Sequence, residues 1–486
     1  MTLPDWLDPL YEADEMRAVD KWAIDEQGVP EADLMERAGA GLARVAARVA
    51  ATGRAGPVRI VVGKGNNGGD GLVAARLLRE EGREVDVLEP GQFVPEALEG
   101  SGVVVDALLG TGFSGEPRDP VAAAIEAINA QDAPVVACDV PSGVDGSTGE
   151  VAGEAVRAAA TATFHGPKLG LYVAPGAHHT GDVEVIEIGI PRDAPAPSEG
   201  GLISERVLDL FPRRTREGSK FTSGVVVIAG GARGLTGAPT MAALAAQRAG
   251  AGYVQVAVPA SAEQTLELRL LEAMTNGLPD DSEGFHTADG VDPLCEMAER
   301  AGAVVLGPGL GRSGGAVAFA RQAAERLDIP LLIDADGLNA HAGALESLRS
   351  RTAPTVLTPH EGEMGKLLER EPAEIASHRL ACARETAERT GAVVLLKGDD
   401  TLVAAPGGPV AVSSGGTPAL ATAGTGDVLS GLIGALLAKG LGAFEAASLG
   451  ALAHVRAGFA AADRHGADHV IAGDVIDALP AGLRDR

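Results

Sequence analysis

The chain has 486 residues, 45% of them hydrophobic, and a formal net charge of −27. That length exceeds one ordinary core and predicts two α/β domains, each with ample apolar material to bury. The acidity excludes an extended nucleic-acid footprint and docking on an anionic membrane, so an anionic ligand has to be held by loop amides and a few placed cations.

The amino terminus, MTLPDWLDPLYEADEM, lacks a basic segment leading into an apolar one and does not read as a signal peptide. Cys138, Cys295 and Cys382 are scattered, which speaks against a disulfide framework or zinc cluster and for a reducing, cytoplasmic setting. The stretch from Tyr11 to about Ala51 reads as helical. Strand-length apolar runs follow at Val58–Val62, Val85–Leu88, Val103–Val105, Val135–Ala137, Thr161–Phe164 and Val183–Ile188, with helical patterns at Gly71–Glu81 and Pro120–Asn129 between some of them. This rhythm predicts a parallel sheet covered on both faces, a doubly wound fold. Three prolines in Pro191–Glu199 mark a linker, with the boundary near residue 198 and domains of 1–197 and 198–486. The second block repeats the rhythm at Val225–Ala229, Tyr253–Val258, Ala303–Leu306, Leu331–Ile333, Thr355–Leu357, Val393–Leu396 and Leu402–Ala404. It closes with apolar helices from Asp427 onward. Lys439, Glu445, His454 and Arg456 interrupt these, so they read as packed helices rather than a membrane span. A homo-oligomer is expected, and these helices could supply an interface.

Polar residues gather where the strands end, which is where open α/β sheets bind ligands. After the first strand of the front block comes GKGNNGGDG. Gly63, Gly65 and Gly68 there spell G-x-G-x-x-G, with Asp86 about where a ribose-binding acid would stand. A nicotinamide-dependent oxidoreductase is therefore one reading. Against it, Asn66, Asn67 and Asp70 crowd the loop with side-chain oxygens that a pyrophosphate cradle does not need. Later strands deliver DALLGTGFSGE (Asp106 to Glu116), CDVPSGVDG (Asp139 and Ser142) and FHGPKLG (Lys168) to the same rim. Asn67, Asp106 and Ser142 could cage a hard cation, and Asp139 with Lys168 could move protons. Singly, Asp106 also suits a loop cap, Asp139 an Asx turn and Lys168 a surface charge. Cys138 reads as strand core.

Taken together, NNGGDG, DALLGTG, DVPSGVDG and PKLG resemble the NAD(P)H-hydrate epimerase domain over about residues 10 to 190. The resemblance implies substrate contacts at Asn66, Asn67, Gly68, Gly69 and Asp70, along Gly110, Thr111, Gly112, Phe113, Ser114, Gly115 and Glu116, and at Asp139. It also implies potassium on Asn67, Asp106 and Ser142, and a reaction that interconverts the configurations at carbon 6 of a hydrated nicotinamide ring. Asp139 and Lys168 are expected to assist its proton transfers.

In the second block GGARGLTGAPT, GPGLGRSGG, DADGLN, TPHEGE, KGDDT and ATAGTGDVLSG stand at the strand ends. Gly424, Gly426 and Asp427 open a helix, where free amides can bind phosphoryl oxygens and the dipole favours the charged form of Asp427, a proton acceptor. Asp427 could equally be an ordinary N-cap, Lys397 and Glu363 solvated, and His360 a loop histidine. The set resembles the ribokinase-like superfamily and, within it, the ADP-dependent NAD(P)H-hydrate dehydratases, over about residues 200 to 484. That resemblance implies hydrate contacts at Ala238, Gly309, His360 and Asp427, and nucleotide contacts at Lys397, Gly398, Asp399, Asp400, Thr401 and Gly426. ADP would be the phosphoryl donor and magnesium the metal, with Glu363 as a candidate ligand. Where the family often has His-Lys-Gly-Asp ahead of the first strand, this chain has Gly218, Ser219, Lys220, Phe221 and Thr222, with Lys220 the residue that could keep the role. Two folds matched to one modified cofactor imply a bifunctional repair enzyme: the epimerase supplies the configuration that the dehydratase consumes.

Overall fold

The computed structural model describes residues 3–53, 55–92, 94–191, 194–195, 199–413 and 415–484. The chain forms two compact units, one built on Pro9–Gly201 and the other on Leu202–Ile375 and Arg379–Arg486. Pro4–Asp8 groups with the second unit and Ala376–His378 with the first. Most of the proline-rich stretch, including residue 198, lies outside the described residues.

In chain order the strands are β1 (Leu7–Leu10), β2 (Val58–Val62), β3 (Val85–Leu88), β4 (Val103–Ala107), β5 (Val135–Cys138), β6 (Ala160–Phe164) and β7 (Asp182–Ile186), then β8 (Gly200–Ile203), β9 (Val225–Ala229), β10 (Tyr253–Pro259), β11 (Met274–Leu278), β12 (Ala303–Leu306), β13 (Leu331–Ile333), β14 (Thr355–Leu357), β15 (Val393–Leu396), β16 (Leu402–Ala404) and β17 (Val410–Val412). The first unit holds a six-stranded sheet, β3-β2-β4-β5-β6-β7, parallel throughout. The runs of its inner strands β4, β5 and β6 are buried on both faces, as central parallel strands require. Helices Glu31–Thr52 and Asn66–Glu80 cover one face and Val121–Asn129 the other. The single helical stretch expected from Tyr11 is two helices, Ala13–Asp25 and Glu31–Thr52, because Gly28 (φ 68°) and Pro30 interrupt it.

The second sheet runs β1-β8-β17-β16-β15-β14-β13-β12-β9-β10-β11. From β15 to β11 it is parallel. The expected all-parallel sheet needs correcting beyond β15: β16 pairs antiparallel with β15 and β17 antiparallel with β16, because only a few residues join each to the strand before it and no crossover helix can fit. The helices after Asp427 contribute most of their apolar residues to the core of the second unit. Val428, Leu432, Ile433, Leu436, Leu449 and Val455 are all buried within the single chain, whereas Phe459 of the helix Ala443–His465 is exposed.

Both sheets reverse winding direction, between β2 and β4 in the first and between β9 and β12 in the second. Beyond the carboxyl ends of the strands, such a switch point leaves a crevice.

Candidate active sites

In the first unit, β2 passes through a short turn into the helix Asn66–Glu80. The stretch expected as a loop before Gly71 is therefore the helix's first turn. A methyl group on Gly68 would lie 2.0 Å from the carbonyl oxygen of Gly63, so only glycine lets the helix start this close to the strand. Beside it opens a cavity of about 590 Å³, lined by Asn66, Asn67, Asp70, Gly110, Asp139 and Lys168 among others. That volume is ordinary for a small-molecule site, and the unpaired amides of a helix start suit an anionic ligand.

Asp139 follows β5 in the left-handed region (φ 66°), an uncommon backbone state for a non-glycine residue. Its carboxylate accepts from the Thr111 amide at 3.0 Å and the Thr111 hydroxyl at 2.5 Å, and pairs with Lys168 Nζ at 2.7 Å. Lys168 is only 1% exposed, which removes the surface-charge reading. Its Nζ also donates to Thr163 Oγ1 at 3.0 Å and the Phe164 carbonyl at 2.9 Å, so all three of its protons are engaged. Burial pushes the Asp139 carboxyl upward, but the Lys168 ammonium and the Thr111 hydrogen bonds outweigh it and hold the group below the usual carboxylate value. Asp70 is pushed the other way, to about 8, by burial and by the charges of Asp139 and Asp20, against the pull of Lys168. Asp20 lines the same cavity from the helix Ala13–Asp25 and was not among the expected residues.

Asp106, fully buried in β4, is not a loop cap. It accepts from Ser142 Oγ at 2.6 Å, the Ser142 amide at 2.8 Å and the Leu108 amide at 3.2 Å. Burial outweighs these bonds and pushes its carboxyl up to about 6. Ser142 Oγ in turn accepts from the Leu109 amide at 2.9 Å, and Asn67 Nδ2 donates to the Leu109 carbonyl at 2.8 Å. Asn67, Asp106 and Ser142 thus converge around Leu109 as an oxygen-rich group with a single acid, a donor set that fits a monovalent cation. Of the Gly110–Glu116 loop, Gly110, Thr111, Gly112 and Phe113 line the main cavity. Ser114, Gly115 and Glu116 line a second hollow of about 430 Å³. Cys138 is buried, and its thiol is driven well up by burial, so it is strand core. Asp86 pairs with Arg59 on the neighbouring strand at 2.8 Å, which leaves the oxidoreductase reading without its ribose-binding acid.

In the second unit, Lys397 Nζ lies 3.0 Å from Asp334 Oδ1 and 3.5 Å from Glu363 Oε2, and Asp334 Oδ2 accepts from Ser430 Oγ at 2.7 Å. The N-cap of the helix Thr425–Ala438 is Gly424, so Asp427 is no cap. Burial, with the charges of Asp334, Glu363 and Asp336 adding and Lys397 opposing, pushes the Asp427 carboxyl up to about 7. Burial and three neighbouring carboxylates therefore act against the helix start, which favours the charged form. A base poised near neutrality matches proton transfer.

His360 caps the helix Glu361–Leu368. Its Nδ1 accepts from the amides of Gly362 (3.0 Å) and Glu363 (3.3 Å), which leaves Nε2 to carry the proton, 3.6 Å from Glu363 Oε1. Through Glu363 and Lys397 it joins the rim that holds Asp334 and Asp427. Ala238 and Gly309 also meet: a methyl on Gly309 would lie 3.1 Å from Ala238 Cβ. Gly426 faces Lys397, with 3.6 Å between a methyl built there and Nζ.

In Lys397–Thr401, Gly398 and Asp399 are exposed, whereas Asp400 and Thr401 turn inward. Asp400 pairs with buried Arg379 at 3.0 Å, and Thr401 Oγ1 donates to the Gly398 carbonyl at 2.9 Å; both hold the loop's shape. Asp336, which lies in DADGLN but had no predicted role of its own, accepts from the Gly311 amide at 3.0 Å and from Arg312 Nε at 2.9 Å. Lys220 stands before β9, its Nζ over the Tyr253 ring (4.8 Å) at the start of β10. That is the amino-terminal edge of the strands, so Lys220 does not take part in the site. Among the described residues no three His, Cys, Asp or Glu side chains form a metal cage. Glu363 Oε2 already accepts from the His360 amide at 3.0 Å. The acids present fit a divalent ion that arrives with a nucleotide's phosphates and takes one or two carboxylates, the usual manner of magnesium.

Fold and sites define an α/β enzyme of two units: a Rossmann-like one with a carboxylate–lysine cleft and a ribokinase-like one with a phosphoryl-transfer site. The NAD(P)H-hydrate dehydratase family model matches residues 225–481, and that of the YjeF-related protein N-terminus matches residues 31–97 and 88–170. The bifunctional NAD(P)H-hydrate repair enzyme Nnr of Salinibacter ruber is 40% identical over 98% of this chain and 96% of its own, and that of Moorella thermoacetica 39% over 98% and 97%. The chain belongs to the family of bifunctional NAD(P)H-hydrate repair enzymes. Among solved structures, an ADP/ATP-dependent NAD(P)H-hydrate dehydratase from Bacillus subtilis, co-crystallised with ATP and Mg2+, matches 57% of this chain and 95% of its own, with 27% identity and a TM-score of 0.51.

Proposed function

We propose that the chain repairs hydrated NADH and NADPH. The first unit interconverts the R and S hydrates, and the second dehydrates the S form at the expense of ADP, releasing AMP and phosphate. The observation that carries this is the presence of two separately built carboxylate sites, at Asp139 and Asp427, on a chain related over nearly its whole length to bifunctional repair enzymes.

In the second unit Asp427 takes the proton of the ring hydroxyl, and the hydroxyl oxygen bonds to the terminal phosphorus of ADP as AMP departs. The phosphorylated oxygen then leaves as phosphate with the electron pair of the carbon–oxygen bond. The neighbouring ring carbon gives up a proton to the departing phosphate, and the dihydronicotinamide is restored. Lys397, held by Asp334 and Glu363, sets a fixed positive charge beside the amides of Gly426 and Asp427, where the phosphoryl group passes. Bound magnesium supplies charge neutralisation on the phosphates. Ala238, Gly309 and His360 contact the hydrate, and the Lys397–Asp399 loop approaches the nucleotide.

In the first unit Lys168 keeps Asp139 ionised and oriented; the lysine positions rather than transfers protons. Asn67, Asp106 and Ser142 would hold potassium, which supplies fixed positive charge next to the Leu109 backbone. The test is to incubate the purified protein with both hydrates, ADP and magnesium and to follow the absorbance of reduced nicotinamide. Full recovery of both configurations is expected. Recovery of only one would remove the first activity, and a stable phosphorylated product would make the second unit a kinase.

A further inference from the structure

Asp70 has no structural employment. It sits in the first turn of the helix Asn66–Glu80, is 7% exposed and lines the cavity. Among the described residues no hydrogen bond or ion pair reaches its carboxyl group. The buried cation nearby is spent, since Lys168 gives its three protons to Asp139, Thr163 and Phe164. Asp20 brings another carboxyl to the same wall. The other charged groups facing the cavity are Arg17 and Glu31 from the flanking helices and Lys64 from the turn after β2. Arg17 is paired with Asp14, Lys64 is exposed, and Cys138 lies buried beneath. Neighbouring carboxyls withdrawn from water, with one cation already committed, cannot all be ionised, so one keeps its proton.

We propose that Asp70 is the general acid of the first unit's reaction, its neutral carboxyl giving its proton to the hydroxyl at carbon 6 of the hydrated ring. This rests on the epimerase reading. The carbon–oxygen bond breaks with its electron pair on oxygen, and oxygen takes the Asp70 proton and leaves as water. The ring nitrogen lone pair forms a double bond to carbon 6. Ionised Asp139 and the newly charged Asp70, which both line the cavity, offset the positive charge on the ring. Water adds to either face of carbon 6 and returns a proton to Asp70, so nothing is consumed and either configuration results. The upward displacement of the Asp70 carboxyl, to about 8, agrees with a proton retained at neutral pH.

The experiment measures interconversion of separated hydrates at fixed potassium from neutral to alkaline pH. For the wild type, kcat should fall as pH rises through about 8. Asp70→Asn should lower kcat by about 10²–10⁴-fold with KM little changed, and Asp70→Glu should recover part of the loss, which separates a missing acid from a misfolded site. Asp20→Asn removes a charge that raises Asp70 and should shift the alkaline limb to lower pH. Infrared difference spectra at neutral pH should show one protonated-carboxyl band lost in Asp70→Asn. An active wild type with an equally active Asp70→Asn, or no band lost, overturns the role of Asp70 alone. A wild type that leaves the hydrates unexchanged overturns the epimerase reading and this role with it.

Discussion

Lys168 shows how one residue can decide between two readings of a motif. In the sequence it could be a solvated lysine; in the structure it is buried and holds the Asp139 carboxylate charged and in place. Removing one partner of such a pair leaves a buried charge unpaired. Lys168→Met should therefore cost about 3–5 kcal/mol of stability in the first unit and abolish hydrate interconversion, as chemical denaturation and the epimer assay would show. Unchanged stability would mean that Asp139 does not need the ammonium. Asp427 is the counterpart in the second unit, with its carboxyl raised by burial and acidic neighbours rather than lowered by a cation. Asp427→Asn should reduce ADP-dependent dehydration by about 10²–10⁴-fold and leave nucleotide affinity and hydrate interconversion intact. A parallel loss of nucleotide binding would make Asp427 part of the binding surface instead.

At the scale of elements, the strands were legible because continuous β-branched runs such as VVVIA have no other economical place than a sheet buried on both faces. Strands without such a run were not: β8 and β11 carry glycine or polar residues (GGLI, MTNGL). The start of the helix Asn66–Glu80 was missed because Asn and Gly read as turn formers, yet here they bring the helix against the strand. Site residues at strand ends stood out by their clustering. Asp20 did not, since a lone acid on a helix rich in Asp, Glu and Arg looks like any solvated position. Asp334 and Asp336 lay in a recognised motif, but their ties to Lys397, Ser430 and Gly311 depend on contacts between distant segments. The helix that presents Asp427 is placed by close packing: a methyl on Gly431 would lie 2.0 Å from the Ala242 carbonyl oxygen of the helix Gly237–Arg248. Gly431→Ala should destabilise the second unit by about 1–3 kcal/mol and slow dehydration more than it weakens ADP binding. A variant as stable and active as the parent would show that the two helices part at no cost.

Across the whole molecule the two sites share an electrostatic signature that composition could only hint at. A net charge of −27 is spread over a chain whose two clefts concentrate further acids. Asp70 is raised to about 8 and Asp427 to about 7, mainly by burial. For an acid with a raised folded-state value, the folded protein binds the proton more tightly than the unfolded chain. The associated stability is therefore present at low pH and is lost as pH rises from the ordinary carboxylate range through the folded value. Buried His286 and His454, lowered to about 4 by burial, act in the opposite sense, but only below the ordinary histidine value of 6.5. Above that value the histidines are neutral in both states, and the carboxyls dominate until Lys439, lowered to about 8 by burial, begins to act in the opposite sense at the top of the range. The unfolding midpoint of the apo protein should therefore fall between about pH 6.5 and pH 8, in both units. The matching variants localise the effect. Asp70→Asn should flatten the dependence of the first unit and Asp427→Asn that of the second, as calorimetry at constant ionic strength would show. A midpoint that rises over this range would mean that both carboxyls are already ionised in the folded protein, and the acid role of Asp70 and the base poise of Asp427 would fall together.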